Sequence, residues 1–209
     1  MPRFFARFLR PFSQLILRVA SVRDPWERID AAPRLRAYGS GARLEFEHYL
    51  RGESAVTVES LEHLQDWLLG CEYAHDEALF AEADFWQHPS TFERMRAGDC
   101  EDFALWAWRK LIELGYDADF VAGYCVKDDE VDGRHAWVML RSEGVEYLFE
   151  PAARSREHMM VALDSVRHRY LPQFGADRTA KRFTYAGYLL HLEKRSDRRR
   201  DDIVKTSVR

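Results

Sequence analysis

A single cysteine, Cys100, stands where the sequence predicts the first turn of a long apolar helix. Asp99 before it is a favoured N-cap residue, and the acidic residues Glu101 and Asp102 suit the positive end of a helix dipole. We expect the unpaired N–H groups of this first turn to lower the pKa of the thiol, and the thiolate is the reactive form of cysteine. These residue types favour nucleophilic chemistry at the Cys100 sulfur.

A histidine and a glutamate later in the chain, His135 and Glu150, are of the types that a cysteine nucleophile needs as partners. After Gly115 the apolar pattern changes from a helical to a strand-like period, and His135 begins one predicted strand while Glu150 ends the next. Neighbouring strands can present an imidazole and a carboxylate beside the sulfur. The imidazole would take the thiol proton and later donate it to the leaving group, while the acid would hold the ring in the useful tautomer.

Each of these residues also has a purely structural interpretation. A lone cysteine on an apolar helix more often fills the core, and a lone histidine is more often a hydrogen-bonded structural residue. The residue types alone therefore leave catalysis and core packing both open.

Four short motifs surround these residues and distinguish the two interpretations. They are Phe-Trp-Gln-His-Pro-Ser-Thr at 85–91, Gly-Asp-Cys-Glu-Asp-Phe-Ala at 98–104, His-Ala-Trp-Val at 135–138 and Phe-Glu-Pro at 149–151. Together they resemble the bacterial transglutaminase-like cysteine proteinases, within the wider transglutaminase-like, papain-like superfamily. The resemblance covers residues 85–152, a third of the chain. The cysteine motif is specific when a His-Ala-Trp follows it at this spacing.

The resemblance implies a fold and a role for each matching residue. Cys100 would be the nucleophile, His135 the general base and then the acid, and Glu150 the residue that orients His135. Glu150 departs from the family, which usually has aspartate before the proline, so one extra methylene must be absorbed by a small backbone shift. The implied fold is α+β, a papain-like or transglutaminase-like core with the nucleophile helix packed on an antiparallel sheet, here with a helical N-terminal extension.

The motif before the cysteine supplies candidates for an oxyanion site. Trp86 or Gln87, together with the backbone N–H of Cys100, would stabilise the negative oxygen that develops during attack. A tryptophan before a Pro-Ser turn is equally compatible with a core position, so both interpretations of Trp86 stay open.

The acids beside the cysteine require a separate explanation, because Asp99 and Glu101 oppose thiolate formation by like-charge repulsion. Some members of the resembled family bind calcium with the two acids that flank the cysteine, and carboxylate oxygens are suitable ligands for this ion. The alternative is that the two acids cap the helix and pair with Arg94 or Arg96. No cofactor is needed for the chemistry itself, and calcium is the one ion that the resemblance suggests.

The apolar pattern predicts helices before the cysteine and strands after it. Helices are predicted near Arg43–Leu50, from Ser60 to Gly70, from Cys100 to Gly115 and over Met159–Arg169, and strands over Phe120–Val126, Ala136–Arg141 and Tyr147–Glu150.

Length and composition indicate one main globular domain. The chain has 209 residues, of which 46% are hydrophobic, and its three cysteines are too few for a disulfide framework. Residues 1–23 carry a charge of +5 and residues 194–209 carry +4, which leaves −13 for the body of the chain, residues 24–193. This negative charge argues against nucleic acid as the partner of the body. No stretch approaches the roughly 20 apolar residues of a membrane span.

Four segments are predicted: a basic amphipathic start (1–23), a linker with a short helix (24–58), the cysteine hydrolase domain (59–193) and a basic, disordered tail (194–209). The first segment fits a helix packed on the body or on a second subunit, a membrane-surface helix, or an organelle-targeting peptide. It lacks the unbroken apolar run of a secretory signal, so a cytoplasmic location is expected, peripheral to a membrane in the second interpretation.

The leading function is that of a protease, in which Cys100 attacks a peptide carbonyl and forms a thioester acyl-enzyme. A transglutaminase or glutamine deamidase with the same Cys-His-Glu triad is the first alternative. The second is a catalytically inactive peptide-binding or assembly module. The expected partner is a protein or a peptide, and the oligomeric state stays open.

Overall fold

A computed structural model describes residues 24–29, 38–39, 41–127 and 130–188 of the chain. The predicted basic segments 1–23 and 194–209 lie outside the described residues. Within these limits, no helix combines the length and the apolar character that crossing a membrane would require.

Short helices come first in the chain, and the strands of a large sheet follow. The helices are α1 (Glu47–Leu50), α2 (Leu61–Leu69), α3 (Asp76–Phe80), α4 (Pro89–Met95), α5 (Cys100–Glu113), α6 (Arg156–Met159) and α7 (Leu163–Val166), the last followed by a 3-10 turn at Arg167–Arg169. The strands are β1 (Arg28–Ile29), β2 (Glu72–Tyr73), β3 (Ala97–Gly98), β4 (Asp117–Lys127), β5 (Glu130–Ser142), β6 (Val145–Phe149), β7 (Met160–Ala162), β8 (Tyr170–Ala176) and β9 (Arg182–Tyr185). The predicted α+β class is confirmed.

Seven of the nine described strands form a sheet in the order β1-β9-β8-β4-β5-β6-β7, in which every neighbouring pair is antiparallel. The other two, β2 and β3, pair with each other in parallel. The turn between β5 and β6 has positive φ at both Glu143 and Gly144, the geometry whose twist matches a tight hairpin. This turn sets the register, with Val138 opposite Phe149. Glu150, one residue beyond β6, is thereby brought close to His135, which lies in the middle of β5.

Helix α5 is the central helix that the two-sided apolar pattern predicts. Its residues from Glu101 to Leu111 are buried, and it packs against β4 and β5. Trp106 stacks on Trp67 of α2, with ring centroids 3.9 Å apart. Helix α5 therefore rests on the sheet in a fixed orientation.

The sheet has apolar residues on both faces. Ala136 and Val138 of β5 join the main core around α5, whereas Trp137 between them belongs to a second cluster with Val121 and Phe183. Because successive side chains of a strand point to opposite faces, this second cluster covers the face away from α5. We call it the outer cluster.

Two features of the second half of the chain differ from the sequence predictions. The helix predicted over Met159–Arg169 is confirmed only in its second part, where Leu163–Val166 form α7 and Arg167–Arg169 a 3-10 turn. Met160–Ala162 instead form strand β7, whose backbone pairs with the edge of β6. Strand β8 has no strand-like signal in the sequence, since it contains Pro172 and is bulged against β4 between Ala122 and Gly123.

Residues of the segment predicted as a linker also pack on the body. Strand β1 pairs with β9, and Tyr38, Phe46 and Tyr49 are buried in the main core. The described part of 24–58 therefore contributes to the same structure as the sheet.

Candidate active site

The start of α5 is held by one carboxylate, that of Asp102. It accepts hydrogen bonds from the backbone N–H of Gln87 at 2.7 Å, from the Gln87 side-chain amide at 2.5 Å and from the backbone N–H of Asp99 at 3.4 Å. Asp99 is the N-cap, as predicted. At Gly98 a Cβ would lie 2.3 Å from the Asp102 carboxylate, so only glycine fits there. These contacts fix where Cys100 begins the helix.

Replacing Asp102 by alanine is expected to lower the free energy of unfolding by about 2–4 kcal/mol, because buried N–H groups would lose their acceptor. Urea denaturation measures this loss. Asp164→Ala is the matched control, since Asp164 is 91% exposed near a helix start. Its effect should stay within about 0.5 kcal/mol, and an equal cost for both variants would contradict the anchoring role of Asp102.

The predicted base and orienting acid are in direct contact. His135 Nε2 lies 2.6 Å from Glu150 Oε2, and both side chains are largely buried. Because Nε2 faces Glu150, Nδ1 is the ring nitrogen that the contact with Glu150 does not use. The backbone N–H of Glu150 donates to Met159 O at 2.7 Å, so the last residue of α6 holds the backbone of the acid. The extra methylene of Glu150 therefore does not prevent contact with His135.

Cys100 and His135 line the same cavity, which has a volume of about 260 Å³. The backbone N–H of Ala136, the residue after His135, acts on the Cys100 thiol in the direction that lowers its pKa. The structure thus brings the predicted nucleophile to the middle of β5, where the predicted base is located.

The thiol itself is held in its protonated form. Cys100 Sγ donates to Glu101 Oε2 at 3.1 Å. Burial, followed by the charges of Glu101 and Asp99, raises the pKa of Cys100 well above its ordinary value, and the Ala136 N–H only partly opposes this. The expected lowering of this pKa by the helix start is therefore wrong, because burial and the two carboxylates outweigh it.

Carboxylates from two parts of the chain converge beside the cysteine. Oxygen atoms of Asp76, Asp99 and Asp102 lie within 4.8 Å of one another, and so do those of Asp76, Asp84 and Glu101. Burial raises the pKa of Asp76 to about 6, and burial with the charge of Asp99 raises the pKa of Glu101 to about 9. We call these five residues the acidic cluster. Asp76 and Asp84 could not be identified from the sequence, since no motif links them to the cysteine.

The arginines proposed to neutralise these acids are engaged elsewhere. Arg94 donates to Thr91 Oγ1 at 3.2 Å, and the Arg96 guanidinium lies 4.9 Å from the centre of the Trp67 ring. Neither forms an ion pair with Asp99 or Glu101 in the described part of the chain, so the predicted pairing is wrong.

The two residues predicted for an oxyanion site lie in different surroundings. The side-chain amide of Gln87 donates to Ala97 O and to Asp102, and Gln87 is 1% exposed. Trp86 lines the cavity with Cys100. Gln87 supports the helix start, while an oxyanion role for either residue stays a prediction.

Comparison with known proteins gives one family and several similar structures. The model of the family described as bacterial transglutaminase-like cysteine proteinase matches residues 57–170, just over half of the chain. LapG from Legionella pneumophila, also solved in calcium-bound form, is 19% identical over 55% of this chain and 62% of its own, with a TM-score of 0.43. The chain thus spans less than two thirds of the length of LapG.

Two further structures are similar over comparable lengths. A putative cysteine protease from Cytophaga hutchinsonii is 14% identical over 68% of this chain and 56% of its own, with a TM-score of 0.36. An arylamine N-acetyltransferase from Bacillus cereus with a Cys-His-Glu catalytic triad is 18% identical over 57% of this chain and 52% of its own, with a TM-score of 0.40. The comparison with curated proteins gave no match.

Proposed function

The chain belongs to the bacterial transglutaminase-like cysteine proteinase family, and on that premise we propose that it cleaves amide bonds in protein or peptide substrates. One observation carries the proposal. His135 contacts Glu150 at 2.6 Å, at a cavity that Cys100 also lines. A nucleophile, a base and an orienting acid are thereby available at a single opening.

The proposed reaction begins with transfer of the Cys100 thiol proton to Nδ1 of His135 and attack of the sulfur on the substrate carbonyl. Glu150 stabilises the resulting imidazolium through Nε2. His135 returns the proton to the departing amine, which leaves a thioester on Cys100. Water, deprotonated by His135, then attacks the thioester and releases the acid product together with the free thiol.

An assay on a mixture of unfolded proteins distinguishes this reaction from its alternatives. Proteolysis creates new amino termini, which mass spectrometry locates. Deamidation releases ammonia, and transamidation incorporates an added primary amine. If neither new termini, ammonia nor incorporated amine exceeds the level in a Cys100→Ala sample, the enzyme proposal fails and the binding module is favoured.

We also propose that the acidic cluster holds a calcium ion. Its residues supply hard oxygen ligands, and Asp76 Oδ1 and Asp99 Oδ1 are buried with no hydrogen-bond partner in the described residues. Asp99 and Glu101 would hold the ion together with Asp76. A bound cation would neutralise the carboxylates that raise the pKa of the Cys100 thiol.

Calcium at about 100 times its Kd is expected to stabilise the protein by about 2.7 kcal/mol and to raise the melting midpoint by about 5–10 °C relative to EDTA. A thermal melt in the two buffers measures the shift. Glu101→Gln should remove most of it, whereas Glu77→Gln, at an exposed position of α3, should keep it. Equal midpoints in calcium and EDTA would show that the cluster binds no calcium.

A further inference from the structure

One oxygen of Glu150 carries two hydrogen bonds. Glu150 Oε2 is 2.6 Å from His135 Nε2, and it also accepts from the hydroxyl of Tyr170 at 3.2 Å. Glu150 Oε1 is buried and has no hydrogen-bond partner in the part of the chain that the structure describes. The orientation of the carboxylate therefore depends on the two groups that meet at Oε2.

A glutamate at this position needs such a second contact. Its backbone is fixed by the hydrogen bond to Met159, but its side chain has one more rotatable bond than an aspartate would have. The hydrogen bond to His135 alone leaves the carboxylate free to turn about that bond. A second donor on the same oxygen restricts the rotation and holds Oε2 towards the imidazole.

Tyr170 is suited to act as this donor. Burial, followed by the charge of Glu150, raises its pKa, so the hydroxyl keeps its proton at neutral pH. Its position is determined by the sheet, because Tyr170 begins β8 opposite Cys125 of β4. The preceding 3-10 turn is also held in place by a hydrogen bond, because Trp26 Nε1 donates to the carbonyl of Arg167 at 3.3 Å.

The ring of Tyr170 also lies against the imidazole. Its centroid is 6.2 Å from that of His135 and 5.1 Å from that of Trp137, and Trp137 is itself 6.1 Å from His135. Tyr170 thus contacts the orienting acid with its hydroxyl and the base with its ring.

We propose that Tyr170 is a positioning residue of the active site, which acts through Glu150 to hold His135 in its working orientation. This inference rests on the proposed function, because it assigns Tyr170 a place in the same site. It concerns catalysis after the substrate is bound, so it predicts a change in kcat and little change in KM.

The test is a double-mutant cycle with Tyr170→Phe, which keeps the ring, and Glu150→Ala, which removes the acceptor. The substrate is a peptide taken from a cleavage site found in the assay described above. In the otherwise native chain we expect Tyr170→Phe to lower kcat about tenfold with KM nearly unchanged, as for loss of a hydrogen bond to a charged group. In the Glu150→Ala chain the same change should alter kcat by less than about twofold, because its partner is already gone.

Tyr185→Phe is the matched control, since Tyr185 belongs to the same outer cluster but has no contact with Glu150 among the contacts of the described residues. It should leave kcat unchanged. An equal loss from Tyr170→Phe in both backgrounds, or no loss in either, would overturn the proposal. Thermal melts of all variants detect a general loss of stability.

Cys100→Ala, measured in the same series, separates this inference from the proposed function. If Cys100→Ala cleaves the peptide as fast as the native chain, the proposed function fails. If Cys100→Ala is inactive while Tyr170→Phe matches the native chain, only the role of Tyr170 fails.

Discussion

Replacing Cys100 by alanine is expected to lower the rate of amide cleavage by about 10⁴-fold or more while the fold is kept. The reason is that in the proposed reaction the sulfur forms the covalent bond to the substrate, and alanine has no atom that can replace it. Position 100 faces a cavity, so the smaller side chain should be accommodated without loss of stability. Initial rates of formation of new amino termini, with circular dichroism of the same sample, measure both effects.

Cys71→Ala is the control for this variant. Cys71 is buried at 5% exposure, burial raises the pKa of its thiol to about 11, and it does not line the cavity, so it is not placed to attack a substrate bound there. The rate of this variant should equal that of the native chain. If the Cys100→Ala protein still cleaves the substrate, and a contaminating protease does not account for the rate, Cys100 is not part of the mechanism.

The second large effect is expected for His135→Ala, which should lower kcat by about 10³–10⁴-fold, in the range of a lost general acid and base. Unlike Cys100→Ala, this variant keeps the sulfur, so iodoacetamide should still label Cys100 at high pH. Steady-state kinetics and mass spectrometry of the labelled protein distinguish the loss of a base from the loss of a nucleophile.

His63→Ala serves as the comparison, because His63 lies on the exposed side of α2 and its ring makes no contact with the cavity residues. Its kcat should match that of the native chain. A His135→Ala enzyme that turns over as fast as His63→Ala would show that another group accepts the thiol proton.

Local signals in the sequence were sufficient for the elements that carry the site. Asp99 as N-cap, the acidic first turn and the change of period after Gly115 predict α5 and the strands that follow it, and the structure has these elements in the same order. The contact between His135 and Glu150 could be expected for the same reason, because two strands joined by a tight turn bring their far ends together.

Features that depend on distant parts of the chain could not be predicted in this way. Asp76 reaches the cysteine only through the fold, so its carboxylate joins the acidic cluster without any motif. The pKa of Cys100 follows from burial and from Glu101, whereas the sequence shows only the helix start. Tyr170 begins strand β8, which the sequence does not predict because Pro172 is untypical of a central strand. The hydrogen bond from Tyr170 to Glu150 joins residues 20 positions apart, and no motif spacing indicates it.

The hydrogen bond from the Cys100 thiol to Glu101 also has a consequence for oxidative damage. Peroxides convert thiolates, and hardly thiols, to sulfenic acid and beyond, so a sulfur whose burial and acidic neighbours favour the protonated thiol should resist this oxidation. The resting protein should therefore retain its reactive sulfur through exposure to peroxide. Engagement of Glu101 by a cation would remove one cause of that protection, whereas burial, the larger cause, would remain.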